Sequence, residues 1–195
     1  MLCHECEQLF DRNGESEVLR AIAPKSMKRF PLHERMRLAF PRDSDPSVSR
    51  FAGYEFGLDM DKFAYFTLSV VWRGTVGQWI KPDGTLTLAL VLGGFEEPIR
   101  RYLLGETPFP PDTAVIIIVC SDDESRKAWH LPAPFMESNC LNFRFLARGV
   151  CFRAMMGRHL PQYFRDYCCT SPRKCIFYGN GERRTREVFS TLKPL

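Results

Sequence analysis

Apolar and polar positions along this chain follow two periods, and each switch of period predicts a new element. Within residues 15–22, Val18, Leu19 and Ile22 recur at helical spacing, and Pro24 ends the short helix they predict. A second amphipathic helix is expected over residues 32–40, closed by Pro41, and the aperiodic Pro-, Asp- and Ser-rich residues 41–49 read as a loop. Phe63, Tyr65, Phe66, Leu68, Val70, Val71 and Trp72 then place apolar groups on nearly every side of a helix that Asp59 or Asp61 can cap. A helix of that kind belongs in the middle of a core. A strand over its β-branched end is the competing reading. After the turn signal Lys81-Pro82-Asp83-Gly84, residues 85–88 alternate as a half-buried strand does.

Gly93-Gly94 introduces a complete helix over residues 95–105, with Glu96, Glu97 and Pro98 in its first turn, arginines later and Gly105 in the closing position. Residues 114–120 are apolar on both faces, as in a central strand. Residues 121–124 can cap a short helix ending near Trp129. Phe143, Phe145 and Ala147 alternate with Arg144 and Arg148, and Val150, Phe152 and Ala154 alternate with Cys151 and Arg153. With Arg148-Gly149 between them, these are two hairpin strands or one strand bent at a glycine bulge. A helix over 160–167, a strand over 174–178 and a polar tail complete the chain. The fold class is α+β. A short N-terminal cysteine knuckle with helices occupies residues 1–42, and a mixed helix and antiparallel-sheet body occupies residues 50–195.

Composition supports a packed body. The 195 residues are 45% hydrophobic and include 16 Phe, which excludes a disordered chain and predicts a ring-rich core. No apolar run reaches bilayer length, so no membrane partner is expected. Residues 1–6 show no secretory signal, and eight cysteines in such a chain point to thiols or metal ligands in a reducing, cytoplasmic setting.

Charge divides the chain. Residues 141–195 carry 11 Lys/Arg against 3 Asp/Glu, whereas residues 1–140 carry 16 against 20. Strand alternation should gather Arg144, Arg148 and Arg153 on the non-core face, with Arg158, Arg173, Lys174, Arg183 and Arg184 extending the patch from neighbouring segments. Such a surface suits phosphates or an acidic partner protein. The competing reading is a solvated face whose arginine stems cover apolar area. No aromatic–basic motif of a nucleic-acid module stands in the linear sequence.

Cys3-x-x-Cys6 has the spacing with which two thiolates grip one zinc ion, and four ligands are needed for a structural site. Cys168, Cys169, Cys175, His4 or His33 can supply the remainder, although His33 reads more simply as a surface helix residue. A redox role lacks the strand-to-helix setting of such motifs, and ordinary thiols are the plainer alternative. Residues 2–10 (Leu-Cys-His-Glu-Cys-Glu-Gln-Leu-Phe) resemble the second cysteine knuckle of a family of bacterial proteins with an HNH-like zinc-ribbon start. Residues 66–73 and 92–100 are similar to later blocks of that family, in the same order. The resemblance implies a structural zinc ribbon whose first Cys-x-x-Cys and catalytic His lie upstream of Met1. His33 stands in the wrong order to replace that His. Two functions follow: a non-catalytic module that binds nucleic acid or a protein, or a truncated HNH-like metal-dependent endonuclease. Other chemistry finds little footing. Asp112 and Asp122-Asp123-Glu124 lack restriction-type spacing, His130 and His159 lack a partner, and Gly93-Gly94 lacks the rest of a phosphate loop.

Overall fold

The computed structural model describes residues 3–23, 30–39, 48–77, 80, 84–86, 89–137 and 139–179. The chain is an α+β protein organised around one helix, α4 (Met60–Val76). Asp59 caps it by accepting from the N–H groups of Asp61 and Lys62. Ten of its seventeen residues are buried, the continuous run of residues 63–69 among them. Two of these are polar, and their hydroxyls are satisfied within the helix: Thr67 donates to the Phe63 carbonyl and Ser69 to that of Phe66, both at 2.8 Å. Tyr65 donates to the Leu103 carbonyl at 2.6 Å and fastens α5 (Glu96–Leu103) alongside. The expected closure of α5 is present, with Gly105 at φ 75°.

Against α4 lies a six-stranded sheet in the order β1-β6-β2-β5-β4-β3. The strands are β1 (Val48–Ala52), β2 (Thr113–Cys120), β3 (Trp129–Glu137), β4 (Cys140–Ala147), β5 (Val150–Met156) and β6 (Cys175–Gly179). Only β2 and β6 run parallel. β2 is interior and buried along its whole length, as its two apolar faces require. Phe145 of β4 and Phe152 of β5 are cross-strand partners with rings stacked at 4.8 Å, and Phe66 meets both edge-on at 6.0 and 5.2 Å. The β4–β5 connection is a two-residue hairpin turn with Arg148 and Gly149 both at positive φ, which matches the twist of the flanking strands.

The N-terminus departs from the expected knuckle. α1 (His4–Phe10), a π-helical turn over Asp11–Glu15 and α2 (Ser16–Ile22) form one uninterrupted helical run, and Asn13-Gly14 does not break it. The reason lies in packing. Gly14 presses on α4 so closely that a Cβ there would stand 2.9 Å from the Phe66 nitrogen and 3.0 Å from the Lys62 carbonyl. Arg73 of α4 reinforces the contact by pairing with Glu7 and Glu15 and lying 4.9 Å over the Phe10 ring. Phe10, Val18 and Ile22, with Leu32 and Met36 of α3 (Pro31–Ala39), belong to the same hydrophobic cluster as α4 and the sheet. The N-terminal helices are therefore packed into the body rather than set apart from it. The loop expected between them falls mostly on residues outside the described set.

The opposite face of the sheet is not bare. α7 (Gln162–Tyr167) covers it, and Leu160, Phe164, Cys168, Cys175, Ile116, Met155 and Phe177 make a second, smaller core there. α6 (Asp123–Lys127) follows β2, with the Ser125 N–H bonded to Asp122. Of the half-buried strand expected over 85–88, the described residues show a single bridge from Ile80 to Leu86, and Leu86 is exposed. No helix among the described residues is long and apolar enough to cross a membrane.

Gly14 gives a direct test of the close approach. Alanine is the better helix former by about 1 kcal/mol, so Gly14→Ala at an open site would stabilise. Here the added methyl meets backbone, and chemical denaturation should show a loss of about 1–3 kcal/mol.

Candidate nucleic-acid interface

The sheet distributes the candidate arginines unevenly. Arg144 and Arg153 are cross-strand partners on the α7 side, as alternation requires. Arg153 is only 6% exposed, because α7 closes over it. Its guanidinium donates twice to the Asn142 side-chain oxygen (2.9 and 3.2 Å) and lies 5.1 Å from the Phe135 ring and 5.2 Å from that of Phe164. That is how a buried cation is accommodated, with hydrogen bonds and ring faces. The burial takes Arg153 out of any surface patch. Arg144 is half-buried, 5.1 Å over Phe135. Arg148 does not join these two, since it occupies the hairpin turn rather than an alternating strand position; it lies 5.1 Å over the exposed Trp129 ring. Arg158 is exposed just beyond β5. Lys174 is ion-paired with Asp61. Arg183 and Arg184 lie outside the described residues.

Arg173 finds different company. It and Arg50 converge on Tyr167, their guanidinium carbons 5.1 and 4.5 Å from the ring centre. Arg50 reaches this place because β1 pairs it with Phe177, on the α7 side of the sheet. Hydrogen bonds from Arg173 and then Arg50 hold the Tyr167 phenol below its usual range. Beside the cluster opens a hollow of about 410 Å³ lined by Arg50, Ala52, Tyr54, Glu55, Pro172 and Arg173. The Glu55 carboxylate is engaged, accepting from the Ala52 N–H at 2.7 Å. Tyr54 is 76% exposed. Sequence reading missed Arg50 because β1 was not recognised. The usable signal was Arg50-Phe51-Ala52-Gly53-Tyr54, a basic and aromatic segment next to a glycine.

Cys3 and Cys6 occupy the start of α1. Cys3 is the N-cap, its sulfur accepting from the Cys6 N–H at 3.4 Å and standing 3.1 Å from the Cys6 sulfur. Cys168 and Cys175 are buried in the smaller core and Cys169 in the larger. Burial pushes the Cys169 and Cys175 thiols up, against the thiolate form that zinc binds. Among the described residues no three of His, Cys, Asp or Glu converge, so these cysteines do not close a four-ligand site with Cys3 and Cys6. Two thiolates are half of what a structural zinc requires, and the other half would have to come from beyond the described residues or from another molecule.

His33 is also not where a surface residue would be. It is 3% exposed, wedged under the Arg148-Gly149 turn, and accepts at Nδ1 from Arg126 Nε at 3.2 Å. A Cβ on Gly149 would stand 2.6 Å from its Nε2. Burial first, and the Arg126 charge second, lower its pKa to about 4. On the α7 side, a hollow of about 360 Å³ is bordered by Cys120, Asp122, Ser125, His130, Arg144 and Cys151. Burial pushes the Cys120 thiol up to about 12, so it is a poor nucleophile for His130 to activate.

Comparison with protein-family models, with curated proteins and with solved structures finds no match for this chain.

The buried imidazole sets a pH dependence of stability. The unfolded chain takes up the His33 proton near pH 6.5, whereas the folded chain resists it down to about 4. Stability is thus fully present above pH 6.5 and falls as pH drops through that window, by up to ~3 kcal/mol from this residue. In His33→Leu, urea titrations from pH 7 to pH 4 should show a correspondingly shallower loss than in the parent chain.

Proposed function

We propose that this chain is a non-catalytic nucleic-acid-binding module that takes single-stranded phosphate backbone at the Arg50–Tyr167–Arg173 edge of the sheet. The observation that carries this reading is the convergence of two guanidiniums on one tyrosine beside an open hollow. Like charges brought together raise the local positive potential, and a phosphate between them offsets their repulsion. Arginine also matches the geometry of phosphate with paired donors. Tyr54, exposed at the rim, offers a ring face on which a base can stack. The basic excess of residues 141–195 supplies long-range attraction for such a ligand. Arg144 over Phe135 and Arg148 over Trp129 add further arginine–ring pairs to the sheet.

Fluorescence anisotropy with a labelled single-stranded oligonucleotide tests the reading. Affinity should fall steeply between about 50 and 200 mM salt, because each phosphate contact releases condensed counterions. The double variant Arg50→Glu, Arg173→Glu should bind at least about tenfold more weakly and show a smaller salt slope. Arg20→Glu, at an exposed position of α2, should bind as the parent does. Salt-independent binding, or equal losses in both variants, would remove the proposal.

A further inference from the structure

The cysteine pair is left without a role by the nucleic-acid interface, and its geometry is specific. Its two thiols are in hydrogen-bond contact at 3.1 Å, and the N-cap position holds Cys3 outward while Cys6 turns toward the body. Cys3 is exposed and Cys6 is half-buried. Cys6 borders a mostly apolar slot of about 110 Å³ whose other walls are Phe10, Trp72, Arg100, Leu103 and Leu104. The Trp72 indole N–H is buried without an acceptor among the described residues. A reachable sulfur, a second sulfur next to it and a slot alongside are what thiol–disulfide exchange requires.

We propose that Cys3 and Cys6 form a reversible dithiol–disulfide couple, with Cys3 as the attacking sulfur and Cys6 as the resolving one, acting on disulfides presented at the Phe10–Trp72–Leu103 slot. The Cys3 thiolate attacks one sulfur of the incoming disulfide. That S–S bond breaks, a mixed disulfide forms on Cys3, and the first thiolate leaves and is protonated by solvent. Cys6 then gives up its proton, and its sulfur attacks the Cys3 sulfur. The mixed disulfide breaks and the second thiolate leaves, taking a proton. Two electrons pass from the pair to the disulfide, which departs as two thiols, and a Cys3–Cys6 disulfide remains. The difference in exposure between the sulfurs agrees with these roles: Cys3 is open to an incoming disulfide, and Cys6, half-buried, stands 3.1 Å behind it. Zinc at this pair would produce the opposite behaviour, with both thiols masked.

Glutathione disulfide is the probe. The full chain, reduced and then incubated with it, should lose two hydrogens in mass and show a Cys3–Cys6 disulfide on peptide mapping. The residue pair should titrate as a two-electron couple across mixtures of reduced and oxidised glutathione. Cys6→Ser should stop at the mixed disulfide, with glutathione on Cys3 at least about tenfold faster than on Cys151, the half-buried cysteine of β5. Cys3→Ser should show neither product. Both variants should melt with the parent chain, since Cys3 is exposed and Cys6 partly so. Glutathione distributed over Cys3 and Cys151 at similar rates would overturn the proposal. So would a purified chain that retains zinc and exposes these thiols only after chelation.

Discussion

The contact between α4 and the paired rings of Phe145 and Phe152 is the interaction on which the rest of the molecule rests. Phe63 and Phe66 enter it from the helix, and all four side chains are buried. Burying a side chain of that size contributes about 2–3 kcal/mol each, and truncating one would cost about 3–5 kcal/mol once the cavity is included. Because α4 is apolar almost all round, it cannot be satisfied by the sheet alone. Its second side therefore needs a cover, and the helical run from α1 through α2 provides it. Gly14 and the π turn let that run approach to backbone contact, and Arg73 ties it electrostatically through Glu7 and Glu15. The order of dependence is sheet, central helix, outer helices.

This arrangement leaves the far face of the sheet to a smaller cover. α7 shields only its middle, around Ile116 and Arg153. Among the described residues nothing covers the β1 edge beyond Tyr167, where Arg50 and Arg173 converge. The same layering explains why two arginines of the basic C-terminal third have opposite fates. Arg153 sits on a strand beneath α7 and is consumed by Asn142 and two rings. Arg173 sits in the turn before β6 and remains exposed.

What was legible in the sequence follows burial. The central helix, the central strand β2, the glycine-closed α5 and the β4–β5 hairpin all carry strong periodicity because both or one of their faces are packed, and each stands where expected. The strands that escaped notice, β1 and β3, are the two edges. β3 carries Pro132 and Pro134, which an interior strand could not tolerate and an edge can, and its register shifts between His130 and Ala133. At the N-terminus, Asn13-Gly14 looked like a break because glycine usually is one; here it marks close helix packing instead. The site was harder to read for the same reason. Alternation groups Arg144, Arg148 and Arg153 on one face, and the hairpin sets only Arg144 and Arg153 side by side; a periodic pattern says nothing about α7, which begins nine residues after Arg153 and buries it. Nor does it reveal that Arg50, on an unrecognised edge strand, completes a cluster with Arg173. The aromatic–basic pairing absent from the linear sequence is assembled from separate segments in three dimensions.

Chemical-shift mapping of the isotope-labelled chain with a short single-stranded oligonucleotide tests the central claim most directly, because it reports each arginine separately. The account predicts that the side-chain Nε–H signals of Arg50 and Arg173, and the ring signals of Tyr167 and Tyr54, move on titration and return with added salt, while Arg153 under α7 stays fixed. Shifts confined to the α1–α3 face, or none at all at low salt, would contradict it.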